Sequence, residues 1–189
     1  MPTAHRSPLT LRELLVVGLC ATAFVVLRTV LRLPIHLPGH NAAIFSVLLV
    51  VAAGTVGRAP AATAMAAVAG ILSLLAGIGT ADGPAVVLRY LLPGLMLDAL
   101  LVARLDVCGR SWAALLVGAA AGLLKLAVSL GWAAIVGQPG EWLLAKAAVA
   151  GPVHTISGGL GGLLGGLLVA RLRRAGLAAG APKDQPRSP

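Results

Sequence analysis

Six runs of almost unbroken apolar residues, near 14–31, 41–56, 61–78, 84–103, 112–136 and 143–172, decide what this 189-residue chain can fold into. A helix needs about 20 mainly apolar residues to cross the hydrocarbon core of a bilayer. Short breakers separate the runs: Pro34, Pro38 and Gly39; Gly57 and Pro60; Asp82, Gly83 and Pro84; Gly109; and Pro139 with Gly140. The second run is short. The sixth is long enough for its outer part to bend or to lie in the interface. Connections this brief hold no extramembrane domain. The expected fold is an all-α integral membrane protein, a six-transmembrane-helix bundle.

Composition agrees. Hydrophobic residues make up 58% of the chain and charged residues 11%, against about 25% charged in a soluble domain. So few charges cannot cover a soluble surface of this size, and so apolar a chain is not a disordered one. The net charge of +9 first suggests nucleic acid, but the cations fall between the apolar runs, which is the positive-inside pattern of a membrane protein. With the N-terminus inside, the inner segments hold Arg6, Arg12, Arg58, Arg104, Arg110, Arg171, Arg173, Arg174, Lys183 and Arg187, and the outer loops only Arg32 and Lys146. Both termini are then cytoplasmic, which requires an even number of spans. A four-span arrangement leaves two apolar runs unplaced. The expected plan is a cytoplasmic N-terminal segment over 1–13, a six-helix membrane domain over 14–174 and a disordered cytoplasmic tail over 175–189, in the cell membrane.

The two cysteines do not point to a disulfide framework. Cys20 lies in the first run and Cys108 in a short loop, and no Cys/His metal spacing occurs. A lipoprotein role for Cys20 is disfavoured by the bulky Leu19 before it, and no small-x-small site ends the first run as a signal peptide requires. There is no H-E-x-x-H, G-x-S-x-G, paired-glutamate or P-loop motif. No enzyme activity, cofactor or metal is expected.

Charged groups within the spans are costly and usually face a cavity or a partner. Arg28, Arg89, Lys125, Asp98 and His154 qualify. In the orientation above all but Asp98 gather in the outer half, which suits an outward-opening pocket for an anionic or carboxylate-bearing solute. Each has a plainer reading. Arg28 can snorkel to the interface, Asp98 and Lys125 can neutralise each other, His154 can be a satisfied core histidine, and Tyr90 can be an interfacial anchor beside Arg89. The segment 33–41 carries two prolines, a glycine, His36, His40 and Asn41 in an irregular outer loop. It is expected to cap the pocket, with Asn41 as the N-cap of the second helix. His36 and His40 make a weak metal pair, with no carboxylate or thiolate nearby. Gly158, Gly162 and Gly166, with Gly161 and Gly165, form a small-xxx-small stripe that fits packing inside the bundle better than dimerisation. The first run carries another small-residue face, Gly18, Cys20, Ala21, Thr22 and Ala23, which is suited to meeting a partner.

These features, above all the Gly18-to-Ala23 face and the Leu37–Pro38–Gly39–His40–Asn41 loop leading into the second helix, resemble the substrate-binding S component of an energy-coupling factor (ECF) transporter. The resemblance extends over residues 14–174. It implies capture of a vitamin-like or other small micronutrient in the outer half, where Arg89, Tyr90, Lys125, Trp132, His154, His40 and Asn41 stand. It also implies docking of a transmembrane T subunit on Gly18, Ala21 and Ala23, with two cytoplasmic ATPases and toppling of the bundle in the bilayer. No signature of the biotin, thiamine or riboflavin members is present. The alternative is a membrane scaffold of the rod-shape-determining type, which binds no solute.

Overall fold

A computed structural model describes residues 9–32, 39–78, 83–103, 105, 107, 108 and 110–178. Among them are six α-helices and no strand: α1 (Leu11–Arg32), α2 (His40–Val56), α3 (Ala61–Leu75), α4 (Ala85–Val102), α5 (Ser111–Ile135) and α6 (Gly140–Arg174). Four of them, α1, α4, α5 and α6, are long and apolar enough to cross a membrane. The other two are shorter apolar helices.

Each helix coincides with one apolar run, and local chemistry accounts for the differences at the ends. Helix α1 begins three residues before the apolar run because Thr10 and Glu13 form a capping box. The Thr10 amide donates to Glu13 Oε2 at 2.7 Å, and the Thr10 hydroxyl donates to the same oxygen at 2.8 Å. Residues 11–13 therefore belong to the helix. Glu13 also accepts from Arg58 Nε at 3.0 Å, which ties the start of α1 to the α2–α3 connection. Helix α2 starts one residue before the position expected for its cap. Its N-cap is Gly39, in the left-handed region at φ 89°, and no side chain caps it. Asn41 thus lies inside the first turn and is not the cap. A side chain at residue 39 would also collide with Ser157 and Val153 of α6, so glycine is needed for conformation and for space.

Helix α2 lies at the centre and touches all five others. Around it α1 packs on α3, α3 on α4, α4 on α5 and α5 on α6. The closest approach is between α5 and α6. A Cβ on Gly118 would strike the Gly158 carbonyl, and one on Gly162 would strike the Ala114 carbonyl and stand 2.9 Å from Gly118 Cα. On the neighbouring face of α6, a Cβ on Gly161 would strike Ala43 of α2, and one on Gly165 would lie 2.9 Å from the Val47 carbonyl. The glycine stripe is therefore a seam within the chain. Its two rows seat α6 against α5 and α2 at backbone contact, where dispersion and close packing do the work that water does in soluble proteins.

Asp98 does not pair with Lys125. It is buried near the end of α4, and its carboxylate accepts the backbone N–H groups of Ala62 at 3.2 Å and Thr63 at 2.7 Å. It caps the first turn of α3 from a neighbouring helix, since α3 has no side-chain cap of its own. A carboxylate there also faces the positive end of the helix dipole. Arg58, Glu13 and Asp98 thus lie at one end of the bundle, together with the Arg171, Arg173 and Arg174 turn that closes α6.

Candidate functional site

The opposite end holds a buried polar cluster assembled from four helices. The chain has two phenylalanines and one tyrosine, and all three meet there. Phe24 of α1, Phe45 of α2 and Tyr90 of α4 have ring centroids 5.0–5.4 Å apart in tilted and edge-to-face arrangements. Such pairs add about 0.5–1.5 kcal/mol beyond the area they bury. Into this triad projects Lys125 of α5. Its Nζ stands 4.5 Å from the Phe45 ring centroid, 4.9 Å from that of Tyr90 and 5.9 Å from that of Phe24. The same Nζ donates to the Asn41 carbonyl at 3.3 Å. Ring faces attract a cation most when water is excluded, and Lys125 is 1% exposed.

Arg28 completes the cluster from α1. Its Nη1 donates to the Tyr90 hydroxyl, and its guanidinium carbon lies 5.8 Å from the Tyr90 ring centroid. The side chain is buried and does not snorkel outward. Tyr90, also 1% exposed, holds the centre of the cluster and is no interfacial anchor. Arg28 and Arg89 are close enough to Lys125 for their charges to act on it, and Lys125, Arg89 and Lys146 act in the same way on His154. His154 packs its backbone carbonyl against Gly122 of α5. Its Nδ1 and the Asn41 Oδ1 are buried with no hydrogen-bond partner among the described residues.

Of the residues expected from sequence to bind a solute, Tyr90, Lys125 and Asn41 are brought into contact with the cluster, and Arg89 and His154 lie within its electrostatic reach. His40 begins α2 one residue before Asn41, with its Nε2 buried. Trp132 stands apart, half-buried, with its indole beside Gly83 at the start of α4. His36 and the tail residues 179–189 lie outside the described residues. Phe24 and Phe45 are not evident from charge or motif. Their rarity, and their position about two turns or less from the same end as Tyr90, is the signal that finds them.

The small-residue face of α1 divides. Ala21 is 0% exposed and Cys20 is buried, so both belong to the core. Gly18 is half-buried with open space where a Cβ would stand, and Ala23 is half-buried. Ala21 is therefore not on a surface that a partner can reach.

The described residues line an apolar groove of about 740 Å³ between α4 and α5, walled by Leu92, Leu95, Met96, Leu123 and Leu124. They also line a cavity of about 350 Å³ at the other end, beside Arg12, Glu13 and Thr55. Neither is lined by Lys125, Phe24, Phe45 or Tyr90. No family model matches the chain, and no curated protein or solved structure matches it.

Proposed function

We propose that the chain is the substrate-binding S component of an ECF-type importer, with all six helices in the membrane and both termini cytoplasmic. The carrying observation is the convergence of Arg28, Tyr90, Lys125 and Asn41 from four helices at one end of the bundle, with Arg89 and His154 in reach. Charge in lipid is expensive, and a purely architectural bundle has no use for so much of it in one place. The orientation rests on the arginines: Arg12, Arg58, Arg171, Arg173 and Arg174 mark the end away from the cluster, and cytoplasmic segments carry the excess of such residues. The cluster then faces outward. Helix α1 packs mainly on α2 and α3 and reaches the cluster through Arg28, which donates to the Tyr90 hydroxyl.

Two measurements test this reading. Coexpressed with the T subunit and ATPase pair of its own organism, the chain is expected to copurify with them. Gly18→Leu is expected to abolish that complex and to leave the isolated chain folded, because the space above Gly18 is open. Recovery of the complex with Gly18→Leu removes α1 as the docking face, and failure of the unaltered chain to copurify favours the scaffold. Ala21 is no substitute in this experiment, since a bulky residue there breaks the core. Arg89→Ala is expected to weaken binding of a molecule that copurifies with the chain by about tenfold or more, with expression intact. Unchanged affinity by calorimetry in detergent takes Arg89 out of the site.

A further inference from the structure

We infer that the solute is an anion, its negative group received by Lys125 with Arg89 and His154. This rests on reading the cluster as the solute site.

The first support is the sorting of charge along the bundle. The two carboxylates that the described helices bury or half-bury, Glu13 and Asp98, are both engaged at the far end, Glu13 with Arg58 and Asp98 with the first turn of α3. At the cluster end, the charges of described residues that act on Lys125 and on His154 are all positive. Bringing like charges together away from water is unfavourable, and an anion among them reverses the sign of every one of those interactions.

The second support is the state of the donors. One hydrogen of the Lys125 amine is directed to the Asn41 carbonyl, at the long distance of 3.3 Å, and its other neighbours are ring faces, which do not compete with an oxyanion as acceptors. Buried polar atoms are almost always hydrogen-bonded. Here His154 Nδ1 and the Asn41 side-chain oxygen have no such partner among the described residues, on one flank of the cluster. His154 supplies an N–H there when Nδ1 carries the proton, and the Asn41 amide supplies one when turned over. A carboxylate or phosphate has several lone pairs to share among donors of this kind. A cationic solute fits poorly, because Lys125 already occupies the aromatic triad that would hold it.

The test is calorimetry on the full chain in detergent with four single-ring probes: benzoate, phenyl phosphate, benzamide and benzyltrimethylammonium, each to about 10 mM, a range that reaches fragment affinities. Benzoate or phenyl phosphate is expected to bind, and the neutral and cationic rings at least about tenfold more weakly. Lys125→Gln is expected to remove anion binding while the thermal midpoint without ligand stays the same or rises. Lys125→Arg is expected to restore part of the binding. Tighter binding of benzyltrimethylammonium, equal binding of benzamide, no binding of either anion, or anion binding unchanged in Lys125→Gln overturns the inference. Should the glutamine variant not fold, Lys125→Met serves under the same criteria. A chain that binds benzoate through Lys125 yet forms no complex with the T subunit and ATPases keeps the anion site and loses the ECF reading. A chain that forms the complex and prefers the neutral ring does the opposite.

Discussion

Gly162→Val is expected to yield no folded protein. Its first added carbon would strike the Ala114 carbonyl and crowd Gly118 Cα, and both are backbone atoms of α5 that no rotamer change can move. The seam continues on either side through Gly158 and Gly166, so α6 cannot shift at one point without parting from α5 along its length. Overpacking a core usually costs about 1–3 kcal/mol. A clash of Cβ with backbone that cannot give way belongs with the few substitutions that cost more than about 4 kcal/mol. The check is the monodisperse yield from size-exclusion chromatography in detergent, with Gly18→Val as the control. A Cβ at residue 18 would meet nothing within 4 Å, and that variant is expected to stay within about 0.5 kcal/mol of the unaltered chain. A folded Gly162→Val protein would mean that α5 and α6 are not in backbone contact along the seam.

The second large effect is expected at Asp98. Truncation to alanine leaves the amides of Ala62 and Thr63 without their acceptor. Hydrogen bonds to a charged group contribute about 1.5–3 kcal/mol each, and two that share one carboxylate are not additive. Asp98→Ala is expected to cost about 3 kcal/mol and to lower the thermal midpoint. Asp98→Asn keeps one amide oxygen as acceptor and should recover part of the loss. The same alanine variant is expected to leave solute binding unaltered, since Asp98 is at the end away from Lys125. Loss of solute binding in a folded Asp98→Ala protein contradicts that placement.

The order and extent of all six helices can be read from the chain because apolar runs and breakers are one-dimensional features. So can the seam: glycines four apart on a long helix allow close approach wherever the partner lies. Which face of α1 turns inward cannot be read in the same way. In a soluble helix the polar side marks the solvent, but α1 is apolar nearly all round, and Ala21 and Gly18 look alike in sequence although one is in the core and the other beside open space. The partner of Asp98 is obscure in sequence for a related reason. Pairing opposite charges is the simplest guess, and the amides at the start of α3 carry no side-chain signal. The polar half of the site is visible in Arg89, Tyr90 and Lys125. The aromatic half is not, because a phenylalanine in an apolar run is indistinguishable from any other core residue until its depth is compared with those of its counterparts.

The unequal lengths of the outer helices have a mechanical consequence. Helix α3, with 15 residues, covers about 22 Å, and α6, with 35, about 52 Å at 1.5 Å per residue. Both pack on α2, and in the six-span arrangement proposed above they share a hydrocarbon layer about 30 Å thick. In that arrangement one flank is shorter than the layer and the other longer, so no upright pose satisfies both. Leaning relieves the mismatch on the long side, and thinning of the lipid relieves it on the short one. In that arrangement the thickness of the surrounding lipid is a lever on the inclination of the bundle.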